Sequence, residues 1–160
     1  MADRIVRPPQ RRVFDSPSGR FQLAITSDDG WQTQRATGTL HDRQMATLCW
    51  RHALPQTQGP RHVLVTDQGA CVLIDDWINV PSPHALVLMG HSGQQLASYS
   101  IDALIALLGV SRRTVTAHAR LGIWLSAAPA LSPDGSHLVL DSGGRQLILR
   151  LADGALLATN

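Results

Sequence analysis

Ser132-Pro133-Asp134-Gly135-Ser136, followed by the alternating run His137-Leu138-Val139-Leu140, is the stretch whose reading decides the fold. Pro presets φ for a turn, Asp and Ser accept hydrogen bonds from nearby amides, and Gly supplies a positive φ. The alternation that follows is that of a strand with one buried face. The phrase recurs with variations. Ser16-Pro17-Ser18-Gly19-Arg20 precedes the apolar run 21–25, and Asp67-Gln68-Gly69 and His91-Ser92-Gly93 each join two apolar runs. Ser142-Gly143-Gly144 and Ala152-Asp153-Gly154 supply two more turns near the end of the chain. Turn-linked alternating runs predict an antiparallel β-meander, and their recurrence predicts repeated sheet units.

Outward from these turns, strands are expected at 21–26, 33–40 and 46–52, then at 62–66, 71–74, 84–89 and 95–99. His62 and His84 fall on two of them, and His41 and His91 lie near turns. The near-continuous apolar content of the middle strands suggests sheets covered on both faces. One stretch departs from the β pattern. Ser100 is a good N-cap for 101–108, where Leu104, Ile105 and Leu108 share a face, and Gly109 supplies a stop. Ser111 caps a second stretch, 112–120. The expectation is a single, mainly antiparallel β domain over 13–160 with a two-helix insertion at about 100–122. Trp124 should pack against Leu104, Leu108 and Val115 and tie the insertion to the sheets.

At 160 residues the chain is long enough for one ordinary core. Its 14 basic residues are all Arg and its 12 acidic residues all Asp, so Lys and Glu, two good helix formers, are absent. A chain without Lys cannot be ubiquitinated on a side chain, but compositional drift is the better account of the bias. Arg4, Arg7, Arg11 and Arg12 against Asp3 give residues 1–12 a charge of +3, and the remaining 10 Arg and 11 Asp leave the body at −1. Residues 1–12 therefore read as a disordered basic arm. No apolar run approaches the roughly 20 residues that span a bilayer, and the polar N-terminus is not a secretory signal. A cytoplasmic, non-membrane protein is the expectation, with Cys49 and Cys71 as buried free thiols.

The units 16–54, 62–99 and 132–159 resemble blades of β-propeller repeat proteins, most closely in Ser132-Pro133-Asp134-Gly135 with Leu138-Val139-Leu140 and Asp153-Gly154. The resemblance implies a propeller-like meander of about three blade-like units, fewer than the roughly four of the smallest closed rings. Self-association is one way to complete such an open array. A second, shorter resemblance is to helix-turn-helix DNA-binding proteins, in Leu108-Gly109-Val110-Ser111-Arg112-Arg113-Thr114-Val115. It implies that Arg112, Arg113, Thr116 and Arg120 face phosphates or base edges. Bulky Ile105 stands where a small residue normally permits close helix crossing.

Catalytic signatures are absent: there is no Gly-x-Ser-x-Gly, P-loop, HExxH or GxGxxG. The seven His are scattered, no Cys/His set has zinc spacing, and no cofactor is implied. Asp75-Asp76 follows an apolar run directly, but adjacent strand residues point to opposite faces, so the two carboxylates diverge. Silent chemistry on a loop-rich β scaffold predicts a non-enzymatic protein-binding module. Trp31, Asp75, Asp76 and Trp77, near turns, are its candidate contacts. A small bacterial immunity protein that neutralises a toxin is one concrete form. A DNA-binding regulator built on the 100–122 segment is the alternative.

Overall fold

Each recurring turn opens a four-stranded antiparallel meander, and three such meanders follow one another along the chain. The computed structural model describes residues 8–75, 82–120 and 124–159. The first sheet contains β1 (Arg11–Asp15), β2 (Phe21–Thr26), β3 (Thr37–Asp42) and β4 (Thr47–Ala53). The second contains β5 (His62–Val65), β6 (Cys71–Ile74), β7 (Leu86–Met89) and β8 (Gln95–Tyr99). Two short helices follow, α1 (Ile101–Leu108) and α2 (Arg112–His118). The third sheet contains β9 (Ala130–Leu131), β10 (His137–Ser142), β11 (Arg145–Arg150) and β12 (Leu156–Thr159).

The three first hairpins are built alike. Ser16, Thr66 and Ser132 each turn a hydroxyl back onto a backbone amide, of Phe21, Ala70 and His137 respectively. Gly19, Gly69 and Gly135 donate to the carbonyls of the same three residues and hold φ near +80° or +70°. The closing pairs are Asp15–Gln22, Val65–Cys71 and Leu131–Leu138, so the middle loop is one residue shorter. That makes Gln22, Cys71 and Leu138 equivalent, and likewise Leu23, Val72 and Val139.

This equivalence explains the stacking. Leu23, Ile25, Leu40 and Trp50 of the first sheet share a core with Cys71, Leu73, Val87 and Met89 of the second. The opposite face of the second sheet, Val72, Ile74, Leu86 and Leu88, shares a core with Leu138, Leu140, Leu147 and Leu149 of the third. The face of one sheet carrying the Leu23-type residues therefore always packs on the Leu138-type face of the next. The middle strands β6 and β7 are buried on both faces, which is why they read as continuous apolar runs. The turns repeat the rule: Gly93 of β7–β8 lies against Trp50 and His52 of β4, and Gly154 of β11–β12 lies against Ala97 of β8.

The helices attach to the third sheet. Leu104, Leu108, Val115 and Trp124 join its core, with Trp124 fully buried. Ser100 and Ser111 cap the two helices through the amides of Ala103 and Thr114, and Gly109 ends α1 at φ 68°. Arg145 of β11 donates to the carbonyl of Leu108, placing a cation at the α1 C-terminus, where the helix dipole favours it. Gly143 and Gly144, at the β10–β11 turn, leave room for Val110, Val115 and His118.

Several expectations need correction. Arg11 and Arg12, assigned to the arm, belong to β1, where pairing with β2 and a bond from Arg12 to the Pro60 carbonyl order them. The strand expected at 33–40 begins only at Thr37, because Asp29 draws in the amides of Gln32 and Thr33 and Gln34 adopts φ 60°. His84 lies in a turn before β7 rather than on a strand, its amide bonded to Ser82 Oγ. Cys71 is buried as expected, whereas Cys49 is only half-buried. β9 is two residues long and carries no sequence signal of its own.

Because every acid is Asp, acid stability turns on how these aspartates are held. Ser18 and Ser16 hold Asp67 below the usual carboxylate range, and the Ser18 amide bond (2.9 Å) joins the first turns of adjacent sheets. Ser132 and Ser136 pull Asp134 far down, and Arg150 brings Asp153 to about 2. Each folded-state pKa lies below the unfolded value of 3.8. Their contribution is thus complete above that value and is lost as pH falls through the folded one. Thermal melts should show a Tm that drops between about pH 4 and about pH 2, and Asp67→Asn should flatten part of that acid limb.

Candidate functional site

Of the aromatic and acidic residues singled out from sequence, Trp31 and Asp75 lie among the described residues. Trp31 is buried, with its indole N–H donated to the Pro8 carbonyl at 2.8 Å and its amide to Ser27 Oγ at 2.8 Å. It is a core residue that tethers the segment before β1, not a free anchor. Asp75 directly follows β6, and its carboxylate accepts from Ser82 Oγ at 2.9 Å. Asp76 and Trp77 lie outside the described residues.

The helix-turn-helix candidates are gathered and accessible. Arg112, Arg113, Thr116 and Arg120 are all exposed on and just after α2. Arg112 is ion-paired with Asp102 of α1, and Thr116 Oγ1 donates to the Arg112 carbonyl at 3.0 Å. Val115, on the opposite side of α2, is buried under the third sheet. The insertion thus shows solvent an Arg-rich side, partly neutralised from within.

The structure brings together one polar cluster that sequence reasoning did not assemble. Asp134 Oδ1 accepts from Ser132 Oγ at 2.6 Å and from Ser136 Oγ at 2.7 Å, and Ser136 Oγ lies 2.7 Å from His137 Nδ1. The hydroxyl proton of Ser136 is committed to Asp134, so its oxygen accepts from His137. Proton flow in that direction is opposite to that of an activated serine, in which His takes the hydroxyl proton. The cluster is a turn lock. Among the described residues no three metal-ligating side chains gather. Burial pushes the Cys71 thiol up to about 12, so it is not a nucleophile near neutrality.

What remains exposed and apolar is informative. Among the described residues, Val13, Met45, Leu48, Leu107 and Leu157 are the large apolar side chains most open to solvent. Three of these five lie on the first sheet or its β3–β4 turn. Val13 alternates with the inward Phe14, and Leu48 pairs with His41, so both face away from the stack. Around them lie Asp15 paired with Arg43 and Asp28 near Arg51, each at 3.9 Å. Equivalent positions in the other sheets are apolar and covered: Gln22 stands where Cys71 and Leu138 stand, and Ala24 where Leu73 and Leu140 stand. The first sheet ends the stack with a mixed face of aliphatic spots among Arg, Asp, Gln and Thr. A polar outer face of this kind is what terminal repeats need, and aliphatic spots inside a polar rim are the make-up of a transient protein interface.

Compared with known proteins, the chain matches no family model and no curated protein. Among the described residues no helix is long and apolar enough to cross a membrane.

Proposed function

We propose that this protein is a non-enzymatic protein-binding module whose three head-to-tail sheets form an open, propeller-like array. The observation that carries the reading is that Val13 and Leu48, on the two edge strands of the first sheet, and Met45, in its β3–β4 turn, stay exposed among polar residues. A stack with no further purpose there would complete the polar substitution already made at Gln22 and Thr39. The rigid sheet presents these side chains without the ordering cost of a mobile loop. A small bacterial immunity protein, neutralising a toxin by covering it, is the concrete form this reading takes.

Affinity capture from the native host tests it. Wild-type protein should retain a discrete protein partner, and Met45→Asp/Leu48→Asp should lose it, since a buried unpaired charge costs several kcal/mol at an interface. The double variant should melt at the wild-type temperature because both positions are solvent-exposed. Capture that is unaffected by the double variant removes the first sheet from the site.

The second reading, a DNA-binding regulator, rests on the joint exposure of Arg112, Arg113, Thr116 and Arg120. Duplex DNA should then shift in a gel at low salt, and Arg112→Ala/Arg113→Ala should weaken binding and lower its salt slope by roughly 2, one per phosphate contact. No shift at low salt ends that reading.

A further inference from the structure

We propose that two copies of this chain pair through the outer faces of their third sheets. The inference rests on the stacking rule and stands apart from the first-sheet surface, at the opposite end of the stack. One cross-strand row recurs in every sheet: Phe14–Leu23–Leu40–Trp50, then Leu64–Val72–Leu88–Ala97, then Ala130–Val139–Ile148–Leu157. In the first two sheets this row is covered by the next sheet, and Leu23, Leu40, Val72 and Leu88 are wholly buried. In the third sheet the row keeps its apolar character with no sheet of the described residues over it, and Leu157 is 67% exposed. The contrast with the other end is direct. There Gln22, Thr39 and Arg51 interrupt the aliphatic spots, whereas here one cross-strand row is apolar throughout, between two polar rows.

The charges beside the row identify the occupant. His137 and Arg150 are paired across β10 and β11 on one side of it, and Asp141 and Gln146 are paired on the other. Alternation puts all four on the outer face, since Leu138, Leu140, Leu147 and Leu149 point into the core. Arg150 is held by Asp153, while Asp141 has no ion-pair partner among the described residues. A face with a donor row of His137 and Arg150, an apolar row, and a row carrying the unpaired Asp141 carboxylate is complementary to itself. A two-fold axis along the apolar row sets His137 and Arg150 of one copy over Asp141 of the other, and lays the two apolar rows together at the ordinary sheet separation of about 10 Å. Stacking the third sheet on the first sheet of another copy would instead bring this row against Gln22, Thr39 and Arg51. The isologous arrangement closes on itself as a dimer and does not propagate.

Sedimentation velocity on the full chain tests this. Wild type should sediment as a dimer, and Leu157→Asp should weaken association at least about 10-fold, while the two should melt alike at concentrations low enough for both to be monomeric. Asp141→Arg and Arg150→Asp should each weaken self-association, and an equimolar mixture of the two should restore dimers, because each altered charge then meets its opposite. A wild-type chain that stays monomeric up to about 1 mM, or a dimer indifferent to Leu157→Asp, overturns the proposal. Loss of dimer in both charge variants without rescue in the mixture overturns the two-fold arrangement. Because Met45 and Leu48 take no part, failure here leaves the first-sheet interface untouched, and the reverse holds.

Discussion

Trp124→Ala should lower the free energy of unfolding by about 3–5 kcal/mol, the range for deleting a large aromatic from a core. Trp124 is fully buried in the cluster that holds Leu104, Leu108 and Val115 of the helices and Leu138, Leu140 and Leu147 of the third sheet. Its own carbonyl accepts from Ser142 Oγ at 2.6 Å, which pins the returning chain to β10. Removing the indole opens a void in the core that the helices share with the third sheet. The neighbours, strand and helix residues fixed by their own hydrogen bonds, have little freedom to fill that void. The indole N–H has no hydrogen-bond partner, so Trp124→Phe discards an orphan donor and should retain most of the stability that alanine loses. Urea titration of the two variants decides the matter: a midpoint for the alanine variant near wild type would mean that the helices are not held as described.

Gly154→Ala should cost about 2–4 kcal/mol, from about 1–2 kcal/mol for a left-handed L residue and a similar amount for overpacking. Gly154 holds φ 79°, and a Cβ there would lie 2.4 Å from Ala97 Cβ on the neighbouring sheet. Neither atom can yield, since each is bonded directly to a backbone that carries sheet pairing on one side and a turn on the other. The Gly154 carbonyl also accepts from Tyr99 Oη at 2.5 Å, so a shift of the turn would break that bond. Gly19→Ala is the control. Gly19 has nearly the same φ, 78°, but a Cβ there would have no neighbour within 4 Å. It should cost only the conformational part, and equal losses in the two variants would show that the packing of the third sheet on the second is looser than the structure has it.

Much of the architecture was legible because turns and strand alternation are local. Pro, Asp, Ser and Gly at 16–19 and 132–135 dictate their turns through side-chain bonds within the same few residues. Ser100, Gly109 and Ser111 marked the helix ends for the same reason, since a cap is a contact between residues three or four apart. What escaped was non-local. β9 exists because β10 offers it a partner at Leu138 and Val139, and β1 extends into the Arg-rich segment because β2 is there to pair with it. The candidate site was less legible still. From sequence, Trp31 beside Gly30 fits either core or interface, and only the Pro8 carbonyl and the surrounding core show it to be internal. Val13, Met45 and Leu48 carried no signal, because an aliphatic residue in an alternating run looks the same whether its face is covered or free.

By itself, then, the amino-acid sequence determined a mainly β chain of turn-linked meanders with one capped helical interruption, since each of these follows from contacts within a few residues. Only the tertiary structure decided which face of each sheet meets which neighbour. The one-residue difference between the loops at Thr66 and at Ser16 or Ser132 reverses which strand residues are equivalent. With a side-chain period of two, that shift moves every apolar residue to the other side of the sheet. Head-to-tail stacking, the polar end at Gln22 and the uncovered row ending at Leu157 are consequences of that register, which no local pattern contains.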